Sequence, residues 1–415
     1  MKKIRQLRCV ECDSTYEYGA VDYTCPSCGM KGILDVEFDY DAIEASGFGK
    51  AALASRTEQS IWRYFELLPV EHRESVPSLQ LGMTPVYRFP ALAAKMGIRD
   101  LWIKDDGRLP TASFKDRASA IAVARARETG YSEVACASTG NAASSLAGMS
   151  ANTQLKAFIF VPATAPEAKV AQLLIFGANV LLVDGSYDQA YGLCMDASRE
   201  FGWFNRNCAI NPYLVEGKKT CGLEIGEQLG QDPPDWVAVS VGDGCTIAGI
   251  WKGMKEMHRF GLLSRLPRLL GVQATGSGPI TRAFDAGTET FTPEVADTMA
   301  DSIAVGQPRN AVKALRAVRE SGGTMVNIED GQILEAMKLL ATDTGVFGEP
   351  AGVAAFAGIR AAIANGTIGP NERVLHVVTG NGLKDVKAAF KATGDPHRVG
   401  LSLDDVREVV ASTTR

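Results

Sequence analysis

The sequence contains no apolar run near the roughly 18 residues that a membrane-spanning helix needs. No membrane association is expected. It also lacks an excess of positive charge: the formal net charge is −5. That argues against a sequence-independent nucleic-acid binder, which works through clustered cations. The start, MKKIRQLRCVEC, has two lysines but no apolar stretch after them, so no signal peptide is expected and the cytoplasm is the expected location. There is no G-x-S-x-G elbow, which removes support for a serine hydrolase. No pair of catalytic carboxylates stands out, and neither an internal repeat nor a low-complexity tract is present. What remains is an ordinary soluble globular composition, 46% apolar and 22% charged. At 415 residues, two or three domains are expected.

Cysteine is not scarce. Cys9-x2-Cys12 and Cys25-x2-Cys28 are separated by twelve residues. Two such pairs present four thiolates that can close tetrahedrally on Zn²⁺. Four thiolates leave no open coordination position, so the metal would be structural. Iron is the chemical alternative. The other five (Cys136, Cys194, Cys208, Cys221, Cys245) are scattered and read as ordinary buried thiols of a reducing compartment.

Beyond the cysteine segment, residues 36–80 read as irregular, with a helix predicted in EQSIWRYFELLP from its three-to-four-residue apolar recurrence. From about residue 85, apolar runs alternate with helical patterns. LWI, EVACAS, KAFIFV, VLLV, WVAVSV, LLGVQA and RVLHVV read as strands. APEAKVAQLLIFG, DQAYGLCMDASREFG, TIAGIWKGMKEMHRFG and DGQILEAMKLLATDTG read as helices. This βαβα order predicts an α/β fold with mostly parallel sheets. Residues 276–310 have weak periodicity and many turn residues, and read as a surface excursion. His376, alone inside a strand pattern, reads as a core residue.

Four strand-to-helix turns carry small and polar residues: PTASFKDR (110–117), STGNAASS (138–145), VGDGCTIAG (241–249) and VTGNGLKD (378–385). In open α/β sheets, ligands bind at the carboxyl ends of strands, so four such turns can build one site. The first places Lys115 in a helical first turn behind an S-x-x-D pattern, Ser113 to Asp116. A cation is disfavoured there by the helix dipole. Such a lysine, beside apolar Phe114, should lose its proton readily. VGDGCTIAG reads as an anion cradle, because Gly242 and Gly244 allow close backbone approach at a helix N-terminus. It is neither a P-loop nor a dinucleotide fingerprint. Asp243 fits only if its carboxylate points away. Ser138, Thr139, Gly140 and Asn141 suit a carboxylate. One lysine, one phosphate cradle, one amide and one hydroxyl are the parts a pyridoxal-phosphate site uses.

These motifs, in this order, resemble the fold-type II pyridoxal-phosphate enzymes, and among them the threonine synthase family. GMTPVYR, NPYLVEGKKT, IAGIWKG, GEPAGVAAFAG and the N-terminal cysteine ribbon extend the likeness across roughly residues 80–390. The resemblance implies two open α/β domains with the cofactor between them (the tryptophan synthase β-like arrangement), plus a small zinc ribbon. The implied division is 1–35 for the ribbon, 36–117 with 206–400 for the larger domain, 118–205 for the smaller, and 401–415 as a tail. It implies that Lys115 carries pyridoxal 5′-phosphate covalently and then moves protons at the substrate Cα, with Phe114 preceding it. Asn141 would meet the cofactor's ring hydroxyl. Gly242, Asp243, Gly244, Cys245 and Thr246 would cradle its phosphate, and Thr379 would meet the pyridine nitrogen. Ser138, Thr139, Gly140 and Asn141 would hold the substrate carboxylate. A homodimer is the family expectation.

The chain departs from that pattern. Where relatives carry an arginine after the tyrosine of NPY, this chain has Leu214. Ala142 and Cys208 stand at two further positions expected to touch the substrate's phosphate. Losing a bidentate cation from a dianion site weakens binding. Arg206, Lys218 and Lys219 are the candidates to compensate. Ala112 replaces a glycine, read as a minor change, and Asn381 replaces a histidine. Two catalytic readings therefore stand: replacement of phosphate by water on O-phosphohomoserine, or a paralogous lyase or synthase (a dehydratase, an ammonia-lyase or a β-replacement enzyme such as a cysteate synthase) acting on another small amino acid. A non-catalytic scaffold is the third, and the intact Lys115, Asn141, Thr379 and cradle speak against it.

Overall fold

The computed structural model describes residues 3–413. Three sheets organise them. At the N-terminus, β1 (Ile4–Cys9), β2 (Thr15–Tyr16) and β3 (Leu34–Phe38) form an antiparallel ribbon in the order β2-β1-β3. The largest sheet combines β4 (Val86–Arg88), β5 (Asp100–Asp105), β10 (Trp236–Ser240), β11 (Arg268–Ala274), β12 (Thr324–Ile328) and β13 (Arg373–Val378). Its order is β12-β11-β10-β13-β5-β4, parallel except for the β4–β5 edge. A second parallel sheet, in the order β8-β7-β6-β9, uses β6 (Glu133–Ala137), β7 (Lys156–Pro162), β8 (Asn179–Val183) and β9 (Phe204–Asn205).

The apolar runs form parallel strands because both faces of the large sheet are covered. Side chains alternate across the sheet. Val237 and Val239 of β10 enter one core while Trp236 and Ala238 enter the other. Leu375 and Val377 of β13 divide from Val374 and Val378 in the same way. His376 lies within this strand, fully buried, with no hydrogen-bond partner on either ring nitrogen. Burial lowers its pKa to about 3, so it is a neutral core residue, as read from the sequence. The strands β4, β9 and β12 and those of the ribbon carry no strong sequence signal. They are short or half-exposed, and their neighbours define them.

One expectation fails and another holds only in part. EQSIWRYFELLP forms a kinked 3₁₀ segment, Ile61–Leu67, rather than an α-helix. Its apolar residues Ile61, Trp62, Tyr64 and Leu67 are buried, but the chain bends at Tyr64 to reach several neighbours instead of presenting one face. Residues 276–310 are a surface excursion only in their middle: 284–299 contain no buried residue and Val295 is 92% exposed, whereas both ends are packed. Ser277, Ala300, Ile303 and Asn310 are buried, and the segment is pinned by Asp297 N–H to Gly276 O and Arg309 N–H to Asp243 Oδ1. Low periodicity there reflects a loop folded over a cavity. No helix among the described residues is long and apolar enough to cross a membrane.

Candidate active site

The four turns lie at the carboxyl ends of β5, β6, β10 and β13 and meet at one cavity of about 750 Å³. The cavity is lined by turns from both the six-stranded and the four-stranded sheet. The first turn leads into the helix Lys115–Glu128, so Lys115 is its first residue. The S-x-x-D pattern does not form a capping box. Ser113 Oγ accepts from Lys115 N–H, while Asp116 turns back to accept from the N–H and hydroxyl of Thr111. The turn is zipped to the last one through Phe114 N–H to Thr379 O (2.9 Å) and Asn381 N–H to Ala112 O (3.0 Å). Below it, Arg117 is fully buried between Asp106 (2.6 Å) and Glu224 (2.5 Å), and Glu224 also holds Lys104 (2.8 Å). This network locks the helix bearing Lys115 to β5 and to the helix Tyr213–Leu229.

Lys115 lines the cavity, and its ammonium has no hydrogen-bond or ion-pair partner among the described residues. Its pKa falls to about 8. Burial is the main cause, and the nearby cations Lys218 and Arg206 push the same way. The lowering anticipated from the helix end is present, with neighbouring charge and burial as its source.

All the other predicted cofactor and substrate residues line the same cavity: Phe114, Ser138, Thr139, Gly140, Asn141, Gly242, Asp243, Gly244, Cys245, Thr246 and Thr379. Gly244 stands at φ +94°, immediately before the helix Cys245–Arg259, and a Cβ there would lie 2.5 Å from Asn310 O. The first-turn N–H groups of that helix have no intrahelical acceptor, and Cys245, Thr246 and Ile247 line the cavity, an arrangement of the kind that holds anions. The Asp243 carboxylate is turned onto the 276–310 loop, accepting from Arg309 N–H (2.7 Å) and Asn310 Nδ2 (3.3 Å). Its Oδ2 also accepts from Cys245 Sγ (3.1 Å). Ser138 Oγ is engaged within its own turn, accepting from Gly140 N–H. A cavity with a free lysine, an N–H cradle and a facing hydroxyl at Thr379 fits pyridoxal phosphate by donor chemistry.

Sequence reasoning gave Glu349 no role, although GEPAG was noted. Glu349 is buried and lines the cavity, and its Oε1 accepts from Asn141 Nδ2 at 2.7 Å. Gly380 makes room for it, since a Cβ at 380 would lie 2.2 Å from Glu349 Oε1. Burial raises the Glu349 pKa to about 7, against the opposing pull of Asn141 and Lys115. A second cavity of about 380 Å³ continues past Asn141 and Glu349 toward Lys169 and Lys384. The signal for Glu349 was an acid directly before a helix-starting proline.

The departures resolve unevenly. Ala142 and Cys208 line the cavity, but Leu214 does not; it is fully buried in the core. Arg206 and Lys218 line the cavity wall. Lys219 is consumed by Glu216 (2.7 Å) and Glu256 (2.9 Å). Ala112 is not a minor change, because it adopts φ +61°, where a Cβ is strained.

Away from the cavity, the sulfurs of Cys9, Cys12, Cys25 and Cys28 lie within 4.8 Å of one another, and Cys12 Sγ is 3.7 Å from Cys25 Sγ. Four sulfurs each about 2.3 Å from one ion would sit about 3.8 Å apart in a tetrahedron.

Residues 77–380 match the family of pyridoxal-phosphate dependent enzymes. The chain belongs to that family and has the fold-type II architecture. Its full-length relatives are narrower in kind. It is 40% identical over 407 residues to the threonine synthase of Methanosarcina acetivorans, covering 97% of this chain and 98% of that one. It is 38% identical over 405 residues to the threonine synthase of Methanocaldococcus jannaschii, with the same coverage. Among solved structures it shares its fold with threonine deaminase isoform 2 of Solanum lycopersicum (TM-score 0.65, 24% identity, 75% of this chain and 83% of that one). Diaminopropionate ammonia lyase of Escherichia coli also has a TM-score of 0.65, at 18% identity, covering 84% of this chain and 94% of that one.

Proposed function

We propose that the protein is a pyridoxal-phosphate-dependent lyase that converts O-phosphohomoserine and water to threonine and phosphate. The observation that carries this reading is the free Lys115 opposite the Gly242–Thr246 cradle, in a chain alike over its whole length to threonine synthases. The cofactor, when bound, supplies an electron sink conjugated to the substrate's amino nitrogen. This chain's residues do the rest. The first-turn N–H groups after Gly244 hold the cofactor's phosphate. Thr379 offers a neutral hydroxyl at the pyridine nitrogen, which does not enforce a protonated ring. Asn141, pinned by Glu349, meets the ring hydroxyl. The Ser138–Asn141 turn takes the substrate carboxylate. Lys115, with its pKa near the operating range, accepts and returns protons at the substrate carbons.

The reading includes further parts. Cys9, Cys12, Cys25 and Cys28 hold a structural Zn²⁺, whose tetrahedral spacing the thiols match. The domains are 1–35, 36–117 with 206–400, and 118–205, with 401–415 as a tail. The protein works in the cytoplasm as a homodimer. A paralogous lyase on another amino acid drew its support from Leu214, Ala142 and Cys208 at positions expected to touch a substrate phosphate. Arg206 and Lys218 in the cavity wall weaken that argument.

The test is direct. Holoenzyme given O-phosphohomoserine should release phosphate and form threonine in equal amounts. Lys115→Ala should abolish both, together with the cofactor's visible absorbance band. Ammonia and a 2-oxo acid from serine or threonine, with no phosphate release, would instead select the paralogous lyase.

A further inference from the structure

We infer that the C-terminal helix Leu403–Thr413 is an exchanged arm, which seats on the outer face of the helix Val386–Thr393 of a second copy of this chain. The receiving helix is two-sided. Its inner side, Ala388 and Ala392, packs on one core of the large sheet. Its outer side does not: Val386 and Phe390, one turn apart, are 48% and 52% exposed, and Leu383 just before them is 74% exposed. Three large apolar side chains in one row are costly to leave in water. The arm has the matching fault. A lone helix of 11 residues is marginal in water. Yet none of residues 403–412 is buried, and Leu403 and Val406 lie exposed one turn apart. The arm's polar contacts are local: Ser402 Oγ accepts from Asp405 N–H, Asp405 Oδ2 accepts from Gly400 N–H, and Arg407 pairs with Asp404.

Charge selects the pairing. The receiving helix carries Lys387 and Lys391, each next in sequence to Val386 and Phe390, so they flank the apolar row along one side. Neither has a carboxylate within 4.0 Å among the described residues. The arm carries Asp404, Asp405 and Glu408 against the single cation Arg407. An acidic helix thus meets a basic one, apolar row to apolar row, and the opposite charges steer the approach. The linker 394–402 spans up to about 30 Å, and this chain holds its arm off its own body. Exchanged between two copies, each arm covers the row that the other copy leaves open, which makes a closed twofold contact. Leu383 also lines the smaller cavity beside Lys384, so the partner's arm sits at that cavity's rim. The inference rests on the homodimer reading for its second copy.

The test uses the full chain. Two batches, one Phe390→Cys and one Val406→Cys, are mixed and gently oxidised, and peptide mass identifies the disulfides. A bond from position 390 of one batch to position 406 of the other is expected. In the double variant the same bond should give covalent dimers. If it forms only within single chains, each arm folds onto its own helix and the exchange is overturned. Sedimentation adds an independent reading, because Phe390→Glu and Val406→Glu alter exposed positions. Each should raise the concentration at which the dimer half-dissociates by about ten- to a hundredfold. Added salt should weaken the wild-type dimer more than the Lys387→Gln, Lys391→Gln dimer. Unchanged dissociation in both glutamate variants, with no bond between positions 390 and 406, overturns the arm and leaves the homodimer reading intact. Wild-type protein that is monomeric at every concentration overturns both.

Discussion

A lysine becomes useful here through the company it keeps. Lys115 begins a helix, is enclosed by the cavity wall, and faces two further cations. Each of these factors favours its neutral form. Glu349 shows the converse for an acid: buried and held by one amide, it keeps its proton to about pH 7. An ordinary glutamate releases its proton near pH 4.3. Between those values the folded cofactor-free protein binds a proton that the unfolded chain has lost. Its stability should therefore fall as pH rises from about 4.5 to about 7 and level off above. Glu349→Gln keeps an acceptor for Asn141 and cannot ionise. Urea unfolding across this range should show that slope in the wild type and lose it in the variant. An unchanged slope would mean that Glu349 is charged in the fold.

At the scale of elements, the turns matter more than the strands and helices they join. PTASFKDR is held by the final turn on one side and by the Arg117 network on the other. Its weak point is Ala112 at φ +61°. The left-handed conformation costs an L-residue about 1–2 kcal/mol. Glycine removes that cost but adds about 0.4–1 kcal/mol of unfolded-chain entropy. Ala112→Gly should thus stabilise by up to about 1 kcal/mol, a rise of about 1–2 °C in Tm; a fall in Tm would rule out strain at 112. The parallel strands β5, β6, β10, β11 and β13 were legible as apolar runs, because a strand buried on both faces must be apolar throughout, whereas the parallel β9 and β12 were not. Residues 276–310 and the Ile61–Leu67 segment were not. Ile61–Leu67 buries its apolar residues around a kink, and 276–310 joins packed ends to an exposed middle, so neither leaves a period to read.

In the whole molecule, the ribbon is tied to the body on the side of the cavity wall. Tyr23 Oη accepts from Asn205 N–H at 3.0 Å, next to Arg206. Tyr18 meets Tyr213 edge-on at 5.8 Å, at the start of the helix that carries Lys218, with the Arg125 guanidinium against both rings. Lys313 and Lys252 donate to Leu34 O and Val36 O of the ribbon. Metal bound by the four cysteines would therefore brace the stretches bearing Arg206 and Lys218. Stripping the metal with a chelator should lower Tm and raise KM for the phosphorylated substrate, and adding Zn²⁺ back should restore both. If KM is unmoved while Tm drops, the ribbon contributes stability alone.

By itself the sequence determined which turns line the cavity. Lys115, the 138–141 turn, the glycine cradle and Thr379 are each local to one turn, and a turn's composition follows directly from what its backbone must do. It determined the α/β alternation for the same reason, since periodicity is local. Only the tertiary structure decided which charges are paired. Arg206, Lys218 and Lys219 look alike along the chain, yet Lys219 is neutralised by Glu216 and Glu256 while the other two line the cavity with no carboxylate partner among the described residues. The coupling of Glu349 to Asn141, 208 residues apart, was likewise settled by folding. A charge's partner is fixed by distance in space, and distance in space is what the linear order of residues does not carry.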